Sequence, residues 1–176
     1  WTDRYGIYSD INRLTLFKEG ANRYGIGDIA DIADRIHDRG AALYITMNAP
    51  GYTAGQKADL GRYLDQLSDG GVDGVIISEP DLISLVRSYG IKPVASTMCG
   101  IFNRDIAAFY RAQGIGRAIL PRELTTDEIA QIMQAEPELE YEVFLMRNGC
   151  RYSDANCLGL HAADCGAVCA SLRYGQ

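Results

Sequence analysis

The sequence predicts a parallel α/β fold, either an open sheet or a barrel that lacks some of its strands. Apolar segments alternate with amphipathic ones at intervals of roughly 25 to 35 residues, as right-handed βαβ units require. The pattern contains about six strands and five helices. A closed eight-stranded barrel needs about 200 residues or more, whereas this chain has 176.

The first quarter of the chain is the least regular part. Two short runs, Tyr5–Tyr8 and Arg13–Phe17, are rich in aromatic and branched residues. Either run is expected to supply a strand, and the two can form a hairpin around Ser9 and Asp10. A polar loop with several glycines follows over residues 18–27.

The helices are predicted from apolar residues at helical spacing. The first carries Ile29, Ile32, Ala33 and Ile36 on one face and stops at Gly40. The five helices are expected over residues 28–39, 54–68, 82–89, 104–113 and 127–135, the last capped by Thr125 or Thr126.

The strands are short apolar runs between these helices. The run 41–47 is almost continuously apolar, which is typical of a parallel strand buried on both faces. The further strands are expected over residues 72–78, 93–97, 117–120 and 141–146.

Charge and hydropathy limit which binding partners and which cellular compartment we expect for this protein. The formal charge is −6 and the pI is 4.9, which excludes a broad basic surface for nucleic acid but leaves room for a local patch. No apolar run approaches the ~20 residues that span a bilayer. The first residues show no signal peptide. We therefore expect a cytoplasmic protein, in which thiols stay reduced.

Four of the five cysteines lie close together after the last predicted strand. We divide the chain into an α/β domain over residues 1–149 and a cysteine-rich segment over 150–176, packed on that domain. Cys150, Cys157, Cys165 and Cys169 have the spacing C-x6-C-x7-C-x3-C. Two disulfides, a structural zinc ion or an iron–sulfur cluster could join them. Reduced thiols favour a metal, and zinc sites usually have closer pairs, so an iron–sulfur cluster is preferred over zinc.

Polar residues follow every predicted strand, and ligands of parallel α/β folds bind at that edge of the sheet. The strand exits carry Asn48, Ser78–Glu79, Ser96–Cys99, Arg122–Glu123 and Arg147–Asn148. Arg122 can hold a carboxylate bidentately, although an ion pair or the start of a helix would also use Arg122 and Glu123. Cys99 is expected to be a small buried side chain rather than part of the site.

The histidines indicate no hydrolytic site. His37 lies among charged residues of a helix, and His161 lies in a loop between cysteines. No Ser-His-Asp arrangement and no HExxH motif are present. A peptidase without a recognisable nucleophile and base is chemically weak.

Several segments together resemble a known family. Ala118–Ile129 is similar to the strand, "arginine–glutamate–leucine–serine" and helix segment of the collagenase-like peptidases, family thirty-two of the unassigned peptidases. Ala95–Met98 resembles its "alanine–serine–threonine–glutamine" strand end, and Asp34–Asn48 its "histidine–x–arginine–glycine" segment. Glu142–Phe144 and the cysteines resemble its last strand and cysteine motif.

The resemblance implies a TIM-like barrel and, in the better-understood branches, a four-iron, four-sulfur cluster on the four cysteines. Those branches hydroxylate RNA bases or the ubiquinone ring without oxygen, and other members carry the peptidase label. This sequence departs from the family pattern at Arg147, at Ala170, at Glu79, where aspartate is common, and in the short gap between Cys157 and Cys165. The departures leave the branch, and with it the substrate, open.

The leading hypothesis is an iron–sulfur, hydroxylase-type enzyme acting on an aromatic ring or a nucleobase. Its candidate catalytic residues are Arg122, Glu123 and Asn48, and its candidate substrate-binding residues are Glu79, Ser96, Thr97 and Arg147. A small molecule, an RNA or a peptide would be its substrate. The alternatives are a peptidase and a non-catalytic subunit that docks on a related family member as a hetero-oligomer.

Overall fold

The computed structural model describes residues 6–8, 29–48 and 51–145, and in them strands and helices alternate. The strands are β1 (Gly6–Tyr8), β2 (Tyr44–Met47), β3 (Gly74–Ile77), β4 (Lys92–Ala95), β5 (Arg117–Ile119) and β6 (Glu140–Glu142). The helices are α1 (Ile29–His37), α2 (Ala54–Asp69), α3 (Leu82–Ser88), α4 (Arg104–Ala112) and α5 (Thr126–Ala135). The predicted parallel α/β class is confirmed.

The six described strands form one sheet in chain order, and every neighbouring pair is parallel. A doubly wound fold would reverse its strand order at a switch point. A sheet that adds each strand beside the previous one instead matches part of a TIM barrel, with the helices on one face.

The two faces of the sheet have separate apolar clusters, because side chains alternate along a strand. Ile45, Val75, Ala95 and Ala118 belong to the main core, together with buried residues of all five helices. The opposite face carries a smaller buried cluster, which we call the inner cluster, with Tyr44 and Phe144 packed against it. The inner cluster consists of Ile76, Val94 and Ile119.

Two strands, β4 and β6, end at least two residues earlier than the sequence predicts. The side chain of Ser96 accepts a hydrogen bond from the Met98 backbone N–H at 3.3 Å and caps a 3-10 turn over Thr97–Cys99, which ends β4 at Ala95. The strand β6 pairs with only the three residues of β5. Directly after these paired residues, the Leu120 N–H still donates to the Glu142 carbonyl at 2.9 Å.

Helix starts are capped at the carboxyl edge of the sheet. The Thr53 and Thr125 side chains each accept a hydrogen bond from the backbone N–H three residues on. The side chains of Gln56 and Glu128 in turn accept one from the backbone N–H of each cap residue. Thr125 is therefore the cap of α5. The backbone N–H and the hydroxyl of Thr125 donate to the Glu128 carboxylate and lower its pKa.

Several predictions fall wholly or partly outside the described residues. The run Tyr5–Tyr8 supplies β1, whereas Arg13–Phe17 lies outside the description, as does the segment 150–176, so the proposed domain division stays a prediction. Within the described ranges, no helix combines the length and apolar character that crossing a membrane requires.

Candidate functional site at the strand ends

The strand register brings three polar residues into one row at the carboxyl edge. Met47 pairs with Ile77, and Ile77 pairs with Ala95. The next residues, which the same register aligns, are Asn48, Ser78 and Ser96. Because they lie two positions beyond residues such as Ile76 and Val94, this row belongs to the face of the inner cluster.

Asn48 and Ser96 are in direct contact, as the shared edge predicts. The Asn48 side-chain amide donates to Ser96 Oγ at 3.3 Å. Ser96 is only 2% exposed, and Thr97 beside it is also buried. Two of the predicted site residues, which follow β2 and β4, are thus hydrogen-bonded to each other at the carboxyl edge of the sheet.

Glu79 has partners within the protein. Its Oε1 accepts a hydrogen bond from the Tyr52 backbone N–H at 3.1 Å, and Lys57 Nζ lies 2.7 Å from its Oε2. Lys57 also donates to the Asp81 carboxylate, and its hydrogen bonds to the Asp81 and Glu79 carboxylates raise the Lys57 pKa. These contacts tie the loop after β2 to the exit of β3. Substrate binding by Glu79 stays a prediction.

Arg122 follows β5 and lies over an aromatic ring that follows β6. Its guanidinium carbon is 4.6 Å from the centre of the Phe144 ring, which packs against the inner cluster. The Nε of Arg122 and both carboxylate oxygens of Glu123 are buried. The catalytic roles predicted for these two residues stay predictions. Phe144 was not among the predicted site residues, although its position two residues beyond β6 places it on the inner face.

Cys99 belongs to the helix side of the sheet. Its thiol donates to the Ile77 carbonyl at 3.3 Å, and the side chain packs against the main core. Burial raises the pKa of this thiol to about 11, so it is protonated at neutral pH. The side chain was expected to be buried, and it is half-buried against the main core.

His37 lies far from these strand exits along the sheet. Its Nε2 is 2.8 Å from Asp73 Oδ2, and Asp73 comes directly before β3, at the amino edge. Asp73 also accepts a hydrogen bond from the Leu43 N–H at 2.7 Å. The pair therefore joins α1 to the sheet on the edge opposite Asn48 and Ser96.

The four clustered cysteines, which are the candidate metal ligands, lie outside the described residues, and so does Arg147. Four thiolates are the donor set of a four-iron, four-sulfur cluster, so the residue types fit. The last described residue, Leu145, is 96% exposed and follows the carboxyl end of β6. The described part of the chain thus ends at the edge that carries Ser96 and Arg122. Among the described residues no group of three or more potential ligands could hold a metal ion.

The fold and the strand-end arrangement define the class as a TIM-barrel-like α/β protein. The profile of Peptidase family U32 matches residues 13–165, so the chain belongs to this family. This confirms the resemblance recognised from the sequence motifs.

Proteins similar to this chain carry names that describe different activities. The tRNA hydroxylation protein P of Haemophilus influenzae is 32% identical over 127 residues, 71% of this chain and 27% of that protein. The collagenase of Porphyromonas gingivalis is 25% identical over 126 residues, 72% of this chain and 30% of that protein. The chain therefore spans less than a third of the length of either relative.

A solved structure supports the fold independently. The U32 peptidase Mk0906 has a TM-score of 0.60 and 20% sequence identity, covering 78% of this chain and 57% of that one. At this level of identity the likeness shows the fold alone.

Proposed function

We propose that this protein takes part in the oxygen-independent hydroxylation of a nucleobase in RNA. The observation that carries the proposal is the 32% identity to tRNA hydroxylation protein P over most of the chain. The strand-end contacts support it, because Asn48, Ser96 and Arg122 gather polar groups where parallel α/β folds bind their ligands.

The reaction replaces a ring C–H by C–OH, which is a two-electron oxidation of the base. It therefore needs a donor of the hydroxyl group and an acceptor of electrons. A four-iron, four-sulfur cluster on Cys150, Cys157, Cys165 and Cys169 would supply electron transfer when bound.

The described residues would bind and orient the reactants. Arg122 presents a planar fork of N–H donors, which suits a carboxylate-bearing hydroxyl donor. Stacking of the guanidinium on Phe144 limits its rotation. Asn48 and Ser96 would hydrogen-bond the base, and Glu79 would hold the loop that follows Asn48 in place.

The test combines cofactor analysis with RNA analysis. Protein purified without oxygen is expected to contain about four iron atoms per chain, with the absorbance and electron paramagnetic resonance spectra of a cluster. Cells that express it are expected to gain a tRNA nucleoside heavier by one oxygen atom. Cys150→Ser should abolish both signals, whereas Arg122→Lys should keep the iron and lower the modification by roughly tenfold, because an ammonium cannot bind bidentately.

The control is Arg62→Lys, at an arginine of α2 whose side chain is 80% exposed. Stoichiometric zinc without iron would refute the cluster. An intact cluster with unmodified tRNA and rRNA would refute the RNA substrate and point to a different aromatic ring.

A peptidase is the second candidate, favoured by the similarity to a collagenase. The chemistry of the described residues opposes it. Cys99 is half-buried with a pKa of about 11, and His37 is paired with Asp73 at the other edge of the sheet. Cleavage of gelatin by purified protein that survives Cys150→Ser would favour this candidate.

A further inference from the structure

A second site lies at the amino edge of the sheet, opposite the strand exits. A cavity of about 480 Å³ opens there beside the starts of β2, β4 and β5. This volume is in the range of pockets that hold small ligands of nucleotide size. The side chains that matter for its chemistry are Tyr44, Arg87, Lys92, Arg117 and Glu140.

The charges around this cavity do not balance. Arg117 Nη2 lies 2.6 Å from Glu140 Oε2, so these two residues neutralise each other. Arg87 and Lys92 remain, and within the described residues neither side chain has a hydrogen bond or ion pair. Asp73 feels the charge of Lys92, but its carboxylate is already hydrogen-bonded elsewhere. An excess of positive charge is therefore left on the cavity wall.

The backbone and an aromatic ring fix the geometry of this wall. Gly114 has a φ of +100°, a conformation that favours glycine, and the Arg87 guanidinium rests against it where a Cβ would otherwise stand. The Tyr44 ring covers Gly74 in the same way, and the Arg117 guanidinium lies 4.9 Å from its centre. The cavity thus has a packed floor and two uncompensated cations at its side.

We propose that this cavity binds a phosphate group through Arg87 and Lys92. An arginine fork bonds two phosphate oxygens at once, and a lysine adds a compact point charge. The protein as a whole carries −6, so a polyanion would need such a local cationic site to bind. The inference goes beyond the proposed hydroxylation and depends on neither the cysteines nor the strand-end residues.

The phosphate can belong to an RNA backbone or to a free nucleotide, and the experiment separates the two. Binding of fluorescein-labelled tRNA would be measured by anisotropy between 50 and 200 mM salt, and binding of AMP and inorganic phosphate by calorimetry. The proteins would be the wild type, Arg87→Gln, Lys92→Gln and the double variant. Arg62→Gln is the matched control on an exposed helix face, and melting curves would show that each variant is folded.

If RNA is the source, each single variant should bind tRNA about fivefold more weakly. Each should also lower the slope of log affinity against log salt by about one, since one phosphate contact is lost. If a free nucleotide is the source, the variants should lose AMP or phosphate binding and keep that of tRNA. Folded variants that bind all three ligands like the wild type, or a wild type that binds none, would overturn the proposal. Either result can be obtained whether or not the protein hydroxylates RNA.

Discussion

Single side chains at the carboxyl edge have more than one structural role. The hydroxyl of Ser96 accepts from the Asn48 amide and from the Met98 N–H, and its backbone N–H donates to the Ile77 carbonyl at 2.8 Å. One small residue thus ends β4, starts the following turn and holds Asn48. A hydroxyl suits this position because it can donate and accept at once.

At Glu79 the structure predicts a graded effect of substitution on stability. Glu79→Ala leaves the Tyr52 N–H without its acceptor, which should lower the free energy of unfolding by about 1–3 kcal/mol. Glu79→Gln keeps a carbonyl oxygen for Tyr52 and loses only the pairing with Lys57, so it should cost less. Urea denaturation of the wild type and of the two variants measures both losses in the free energy of unfolding.

The same position tests whether Glu79 acts through the loop or on the substrate. If its role is to hold the loop, Lys57→Met and Glu79→Gln should lower RNA modification by similar factors, and the double variant should be little worse than either. A loss with Glu79→Gln that Lys57→Met does not share would place Glu79 against the substrate instead.

At the level of elements, close contact between strands depends on one glycine. The register aligns Tyr44 of β2 with Gly74 of β3 and with Lys92 of β4. A Cβ on Gly74 would lie 2.5 Å from a ring carbon of Tyr44. The absence of a side chain on β3 therefore lets the Tyr44 ring cross its neighbour and reach Arg117.

We accordingly expect Gly74→Ala to destabilise the sheet. Displacing the Tyr44 ring should cost about 1–3 kcal/mol, or a fall in melting temperature of roughly 2–4 °C for each kcal/mol. The matched control is Gly55→Ala in α2, where a Cβ meets nothing within 4 Å. That change should be neutral or stabilise the helix. Equal destabilisation by both variants would contradict this explanation.

For the whole molecule, contacts between the helix layer and the sheet make stability depend on pH. Burial of Asp73 opposes its ionisation, but hydrogen bonds from His37 and the Leu43 N–H outweigh burial and lower its pKa. A carboxyl with a lowered folded-state pKa stabilises the protein above its unfolded pKa of about 3.9. This stabilisation is lost as the pH falls through the folded value.

Asp73→Asn should therefore lower the free energy of unfolding at pH 7, by no more than about 1 kcal/mol because the side chain is partly exposed. The gap between variant and wild type should shrink as the pH falls from 5 toward 3. Urea titrations at several pH values measure it, with exposed Asp69→Asn as the control. A gap that stays constant would show that the carboxylate charge is not responsible.

Much of the fold could be predicted from the sequence because periodicity reports burial. The order and type of the described helices and strands follow from it, whereas the choice of Thr125 over Thr126 as the cap of α5 needed the structure. The early ends of β4 and β6 could not be predicted, since they depend on the Ser96 cap and on the short partner strand β5. Strand exits indicated which polar residues share an edge, and the contact of Asn48 with Ser96 agrees with that. The contact of Phe144 with Arg122 and the ion pair of Glu79 with Lys57 were not predicted, because they depend on side-chain packing between segments that are distant in the sequence.

Consecutive strand order also has a consequence for how the chain folds during synthesis. Each strand pairs with the one made just before it, as Tyr44 pairs with Gly74 and Gly74 with Lys92. Pairing between consecutive strands allows the chain to fold unit by unit from the N-terminal side. The cysteines are translated after β6, the last described strand. The carboxyl edge of the described sheet can thus be assembled before the ribosome delivers the four thiols. If the thiols bind the proposed cluster, iron insertion would follow the formation of the sheet.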